Sequence, residues 1–261
     1  MGQQPDKPAA GAFEVRKEIE LDATPEQVWE AITTGPGIDA WFMGRTEVEP
    51  RQGGTARFTL AGVTEEATVT AWDPPRRFAT RSAEGEDGRF MATEFLIEGR
   101  GQGGTVLRLV QSGVLGDDWE AEYDGLQEGW DVYLRKLAEY LSYFRGRTAT
   151  PVFAAQPQSA ADREQALAVF RRALGLAGPV AEGDKVRLTP EGLPPLEGVV
   201  DHVSPSFLGV RTDDGLYRFI AGFEGSAVLG HHLFAEGVDQ QATEQAWQAW
   251  LTRAFAGQGS S

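Results

Sequence analysis

The sequence predicts an α+β protein in which an antiparallel sheet is followed by one long helix, and in which that arrangement occurs twice. Three observations carry this. Between residues 13 and 112, strand-like segments are separated by turns of only a few residues, and such short connections join strands antiparallel. An amphipathic helix then places Leu126, Trp130, Tyr133, Leu137, Leu141 and Phe144 at steps of 4, 3, 4, 4 and 3. The second half repeats the order helix, strands, long helix, which suggests duplication.

Composition sets the bounds. The chain has 261 residues, 41% hydrophobic and 24% charged, enough for two modest domains with real cores. The net charge is −15, split −10 over residues 1–151 and −5 over 152–261. An evenly acidic chain has no basic patch with which to displace counterions, so neither nucleic acid nor an anionic membrane is an expected partner. There is no cysteine, which removes disulfides, thiolate metal sites and thiol nucleophiles. No apolar run approaches a membrane span, and the polar start with Pro5 and Pro8 has no signal-peptide core. A cytoplasmic location and no membrane insertion are the expectations.

The elements follow in order. Residues 1–12 read as a flexible lead. Residues 13–22 alternate as a strand, with Val15, Lys17, Ile19 and Leu21 on one side. Thr24, Pro25 and Gln27 form a capping box that starts a helix with Val28, Trp29 and Ile32 on its apolar face. Gly35-Pro36-Gly37 should stop it, and residues 38–42 read as a second helical turn. Strands are expected over 46–50, 55–60, 64–71, 78–83, 90–97 and 105–112. The long helix that follows has Asp124 as its expected N-cap and Gly146 at its end. Glu128, Asp131, Arg135, Lys136 and Glu139 fall on its polar side.

Residues 147–159, with Pro151 and Pro157, read as a linker. A second domain is expected over 160–257: a helix carrying Ala166, Leu167, Val169, Phe170 and Leu174, then five strands. They fall at 185–189, 196–203, 207–212, 216–223 and 227–234. A closing helix presents Trp247, Trp250, Leu251, Ala254 and Phe255. Residues 258–261 form a tail. Three stretches match between the halves: Gly129-Trp130-Asp131-Val132-Tyr133-Leu134 with Ala246-Trp247-Gln248-Ala249-Trp250-Leu251, Thr105-Val106-Leu107 with Ala227-Val228-Leu229, and 69–74 with 200–205. On this reading the second copy is shorter and lacks the first strand.

Taken together, several pieces of 13–145 resemble a known family. They are Thr24-Pro25-Glu26-Gln27-Val28-Trp29, Ala40-Trp41-Phe42, Gly53-Gly54 before a strand, Val69-Thr70-Ala71-Trp72-Asp73-Pro74-Pro75, Gly104-Thr105-Val106-Leu107, and Gly129-Trp130 in the final helix. In this order they resemble the START-like, or SRPBCC, superfamily and, within it, the family related to the C-terminal domain of the Hsp90 ATPase activator. The resemblance implies a helix-grip (Bet v 1-like) fold for 13–146, a curved antiparallel sheet around a long C-terminal helix, with a cavity often present between the two. Met43-Gly44 stands where many relatives have Pro, so nothing that depends on that turn is carried over. The second half resembles the family only as a degenerate, truncated copy.

The candidate cavity residues are Trp41, Phe42, Phe58, Trp72, Phe78, Glu94, Phe95, Leu109, Trp119, Trp130 and Tyr133. Each aromatic alone is better explained by core packing; together they make an apolar cavity plausible. Glu94 alternates with Ala92 and Leu96. If its face is inward it is a buried acid, with Arg57, Arg81 or Arg108 as its partner. Glu65-Glu66, Asp117-Asp118 and Asp213-Asp214 read as solvated surface. The histidines His202, His231 and His232 lack metal-pair spacing, and they read as surface or cavity-lining polar groups. The glycine runs match no phosphate loop. No metal, cofactor or catalytic residue is therefore assigned. Three functions remain: binding of a small hydrophobic or amphipathic molecule without catalysis, a protein-interaction role with a chaperone-like partner, and a cyclase- or hydrolase-like activity in the same cavity. The ligand's identity and the oligomeric state are not legible.

Overall fold

The computed structural model describes residues 11–116, 119–157, 162–221 and 226–256, leaving aside the side chains of residues 102 and 121. Most of the expected lead, Asp117-Asp118, residues 158–161 and the tail lie outside them, as does the end of the strand expected at 216–223. The chain divides into two compact units, Met1–Gly146 and Arg147–Ser261.

Unit 1 opens with β1 (Ala12–Leu21), α1 (Pro25–Thr33) and α2 (Gly35–Ile38). The capping box of α1 forms as expected. The Gln27 amide N–H donates to Thr24 Oγ1 at 3.4 Å, and the Thr24 N–H donates to Gln27 Oε1 at 2.9 Å. Gly35-Pro36-Gly37 does not simply stop α1 but forms α2 itself, because Thr34 caps the new turn through the Gly37 N–H at 3.1 Å. Helical turns continue from there through the expected 38–42, where the Phe42 N–H donates to the Ile38 carbonyl at 2.8 Å.

Six strands follow: β2 (Arg45–Val48), β3 (Thr55–Leu60), β4 (Val63–Asp73), β5 (Arg77–Ser82), β6 (Phe90–Gly99) and β7 (Thr105–Val114). With β1 they form one antiparallel sheet in the order β1-β7-β6-β5-β4-β3-β2. The closing helix α3 (Trp119–Glu139) continues as a π-helical turn, Tyr140–Phe144. It begins before Asp124, which is therefore interior to the helix and not its cap. The sheet grips α3 over a wide arc, so Lys136, expected on the polar side, is 2% exposed, with its ammonium 5.7 Å from the Tyr133 ring.

Unit 2 contains β8 (Thr150–Gln156), α4 (Arg163–Ala173), β9 (Lys185–Leu188), β10 (Leu196–Ser204), β11 (Phe207–Arg211), β12 (Gly215–Ala221), β13 (Ala227–Leu233) and α5 (Gln240–Phe255). Its sheet order is β8-β13-β12-β11-β10-β9. In both units the first strand pairs with the last, and the remaining strands form a meander ending in a long helix. The expected linker is thus corrected. Most of residues 147–159 form β8, the counterpart of β1, and the strand that unit 2 lacks is the counterpart of β2 at the far edge. Pro151 concealed β8, but an edge strand tolerates proline. The outer edge of β8 is covered by α5. The Phe153 N–H donates to Glu244 Oε1 at 3.3 Å and the Ala155 N–H to Gln248 Oε1 at 3.2 Å, which satisfies groups that would otherwise template another strand.

The two units share one irregularity. β4 shifts register against β5 between Val69 and Ala71, and β10 shifts against β11 between Val200 and His202. These bulges fall at the residues that match between the two halves of the sequence. A bulge re-aims one side chain, and in unit 2 that residue is Asp201. Its Oδ2 accepts from Arg218 Nη2 at 2.6 Å, with the two side chains 2% and 3% exposed. Gly209 leaves the room, since a Cβ there would run into Asp201 Oδ1. Removing one partner of such a pair leaves a buried charge. Asp201→Ala should therefore cost about 3–5 kcal/mol of stability in denaturant titration, whereas a loss under about 1 kcal/mol would mean that water reaches Arg218.

Candidate functional site

The site is built on the concave face of the unit 1 sheet. Period-two alternation places Thr46 on β2, Ala56 and Phe58 on β3, and Glu65 and Ala67 on β4 on that face. Phe78, Thr80 and Ser82 join them from β5, Met91, Thr93 and Phe95 from β6, and Gln111 from β7. Gly125, Leu126, Gly129, Trp130 and Tyr133 close the space from α3, and Ile32, Ile38, Trp41 and Phe42 from the α1–α2 side. Between sheet and helix lies a cavity of about 420 Å³. Met91, on its lining, is 37% exposed and marks where it meets solvent.

Aromatic rings form the wall. Phe42 touches Tyr133 at 4.3 Å between centroids, Phe58 at 5.6 Å and Trp130 at 5.9 Å, and Phe95 meets Trp130 edge-on at 6.0 Å. One buried polar linkage fixes the wall. Trp130 Nε1–H donates to Gln111 Oε1 at 2.7 Å, and Gln111 Nε2 donates to Thr93 Oγ1 at 3.3 Å. Burial pushes the Tyr133 phenol well above its ordinary range, so it stays protonated and is a donor, not a base. Trp41 is anchored by its indole N–H to the Ala31 carbonyl at 2.9 Å. Behind it, burial raises the Asp39 carboxyl, an effect partly offset by the Thr46 N–H and Arg45.

Seven of the eleven candidate residues line this space: Trp41, Phe42, Phe58, Phe78, Phe95, Trp130 and Tyr133. Four do not. Trp72 packs edge-on against Trp29 at 5.0 Å and against Phe78 at 5.7 Å. Leu109 is fully buried core, and Trp119 stands at the start of α3, off the lining. Glu94 is on the opposite face of β6, bonded to Arg77. The partners expected for it are engaged elsewhere: Arg57 with Glu66, Arg81 with Glu84, and Arg108 with Glu18 and Glu98. Alternation along β6 could be read in either phase, and Phe95 sets it inward.

Sequence reasoning missed Gly125 and Gly129, Gln111 and Thr93; Glu65, read as solvated surface, is exposed and also stands at the lining. The glycine spacing was the available signal, since glycine inside a helix costs about 1 kcal/mol against alanine. A Cβ at Gly129 would meet nothing within 4 Å, so its absence enlarges the cavity instead of relieving a clash.

In unit 2 the matching positions belong to the buried core. Trp247 and Trp250, at the positions matching Trp130 and Tyr133, pack at 5.3 Å from each other. Trp250 stacks on Phe170 at 6.2 Å, and Trp247 meets His231 edge-on at 4.5 Å. His231 and His232 are buried, not at the surface or lining a cavity, and Nδ1 of His231 accepts from the Arg218 N–H at 3.0 Å. Burial, with Asp214 adding to it, pushes the Tyr217 phenol up to about 12. His202 bonds Glu182 at 2.9 Å. Among the described residues no cluster of three metal-ligating side chains occurs, and no helix is long and apolar enough to cross a membrane.

Comparison with known proteins places unit 1. Residues 22–142 match the family model described as Activator of Hsp90 ATPase homolog 1-like protein. No curated protein matches the chain. Protein MLL2253 from Mesorhizobium loti is 24% identical, with 51% of this chain and 98% of that one covered and a TM-score of 0.45. The Aha1 dimer structure from Colwellia psychrerythraea is 23% identical over 51% of this chain and 99% of that one, at a TM-score of 0.43. DynU16, a protein in the dynemicin biosynthetic locus, is 18% identical over 93% of this chain and 96% of that one, also at 0.43. Residues 22–142, most of unit 1, are thus similar to the Activator of Hsp90 ATPase homolog 1-like family.

Proposed function

We propose that unit 1 binds a small hydrophobic or amphipathic molecule in the cavity between its sheet and α3, without transforming it. The observation that carries this is the contrast between the two units. One fold is used twice, and the positions that border a space of about 420 Å³ in unit 1 belong in unit 2, as Trp247 and Trp250, to the buried core. A volume of this size is within the usual range of small-molecule sites, and an apolar wall with few polar groups is their usual composition. The cavity persists although alanine in place of Gly129 would strengthen α3. The lining supplies no histidine, and its Tyr133 phenol is held protonated, so a general base would have to be a solvated carboxylate.

The family's description favours a second reading, a protein-interaction role of activator type. Native mass spectrometry of the purified chain separates the two. A co-purifying apolar molecule in stoichiometric amount, identified after extraction, supports binding in the cavity. An empty protein that no member of a lipid and metabolite panel stabilises points to a protein partner.

A further inference from the structure

The cavity has a charge preference, and this step rests on the binding reading above. Its polar lining is largely committed within the protein. Gln111 bonds Trp130 and Thr93, Ser82 accepts from the Met91 N–H at 3.0 Å, and Arg57 is held by Glu66 at 2.6 Å. One charged group is left over. Glu65 stands opposite Phe58 in the β3–β4 register, so its side chain shares the concave face, and it has no hydrogen-bond or ion-pair partner among the described residues. Its neighbour Glu66, also at the lining, is neutralised by Arg57.

Among the described residues no basic group on the elements that enclose the cavity pairs with Glu65, and Arg57 of the lining is taken by Glu66. Lys17, on the same face, bonds Asp131 of α3 at 2.7 Å. Lys136 is buried beside Tyr133 and does not reach the lining. The net charge of −10 over residues 1–151 adds to the same field. We propose that the unit 1 cavity selects amphiphiles whose polar end is a cation, an amine or quaternary ammonium group, over those ending in a carboxylate, and that Glu65 is the residue that selects. The apolar tail lies among Phe42, Phe95 and Trp130, and the head stops at the mouth against the free carboxylate.

The test uses three probes with one tail and different heads: dodecyltrimethylammonium, 1-dodecanol and dodecanoate, titrated calorimetrically into the full chain below their aggregation concentrations. A charge pair at a partly exposed site is worth up to a factor of about 5 in affinity. The ammonium probe, attracted where dodecanoate is repelled, should therefore bind about fivefold more tightly than dodecanoate. Glu65→Gln should bring the two within about twofold while leaving dodecanol unchanged. Glu236→Gln, the same loss of charge on an exposed loop of unit 2, should leave the ratio as it was. Equal or tighter binding of dodecanoate, or a ratio that Glu65→Gln does not move, overturns the selection while leaving the cavity reading intact. Binding of none of the three overturns both.

Discussion

Gly129→Leu should abolish uptake of an apolar dye such as Nile red, weakening it more than about 100-fold, while the protein melts at the same temperature or higher. The physical basis is the open space in front of Gly129, where a new Cβ meets nothing within 4 Å. A leucine side chain entering from α3 would occupy the volume between Trp130 and Phe42. A mid-helix glycine gives up about 1 kcal/mol relative to other helix formers, so filling the space should not destabilise the fold. Gly129→Ala is the graded control. It should gain about 0.5–1 kcal/mol in denaturant titration and weaken dye binding only a few-fold. Undiminished dye binding by the leucine variant would place the dye somewhere other than this cavity.

The converse substitution in unit 2 should do the opposite. Trp250→Ala removes a side chain 2% exposed, stacked on Phe170 and met edge-on by Phe219 and Trp247. Truncating a buried tryptophan costs about 3–5 kcal/mol, part of it for the hole left behind. The hole has the shape of an indole, so added indole should restore part of the lost melting temperature. A loss below about 1 kcal/mol, or no recovery with indole, would mean that unit 2 is not the filled counterpart of unit 1.

Much of unit 1 could be read before any coordinates, for reasons visible in particular residues. The capping box at Thr24 and Gln27 is a local interaction and forms wherever the chain begins a helix. The helical spacing of Trp130, Tyr133 and Leu137 identifies the face of α3 that turns to the sheet. What escaped reading depends on partners distant in sequence. β8 is a strand because β13 pairs with it and α5 covers its edge, and neither is encoded in a proline-bearing segment of mixed residues. Glu94 and Glu65 both sit on strands with acceptable alternation in either phase. Only the cross-strand register puts Glu65 with Phe58 on the concave face and Glu94 with Arg77 on the other. Lys136 shows the limit of a polar-side argument, since a helix gripped by a curved sheet buries more of its circumference than one lying on a flat one.

The central claim is that one of two related units keeps an open apolar site and the other does not. The indole N–H resonances of Trp130 and Trp250 test it within a single molecule. Titration with 1-octanol, a neutral amphiphile, should shift Trp130, whose N–H is held by Gln111 on the cavity wall. The shift should saturate, and Trp247 and Trp250 should stay in place. Saturable shifts confined to the unit 2 tryptophans, or no shift at Trp130 at any concentration below phase separation, would contradict it.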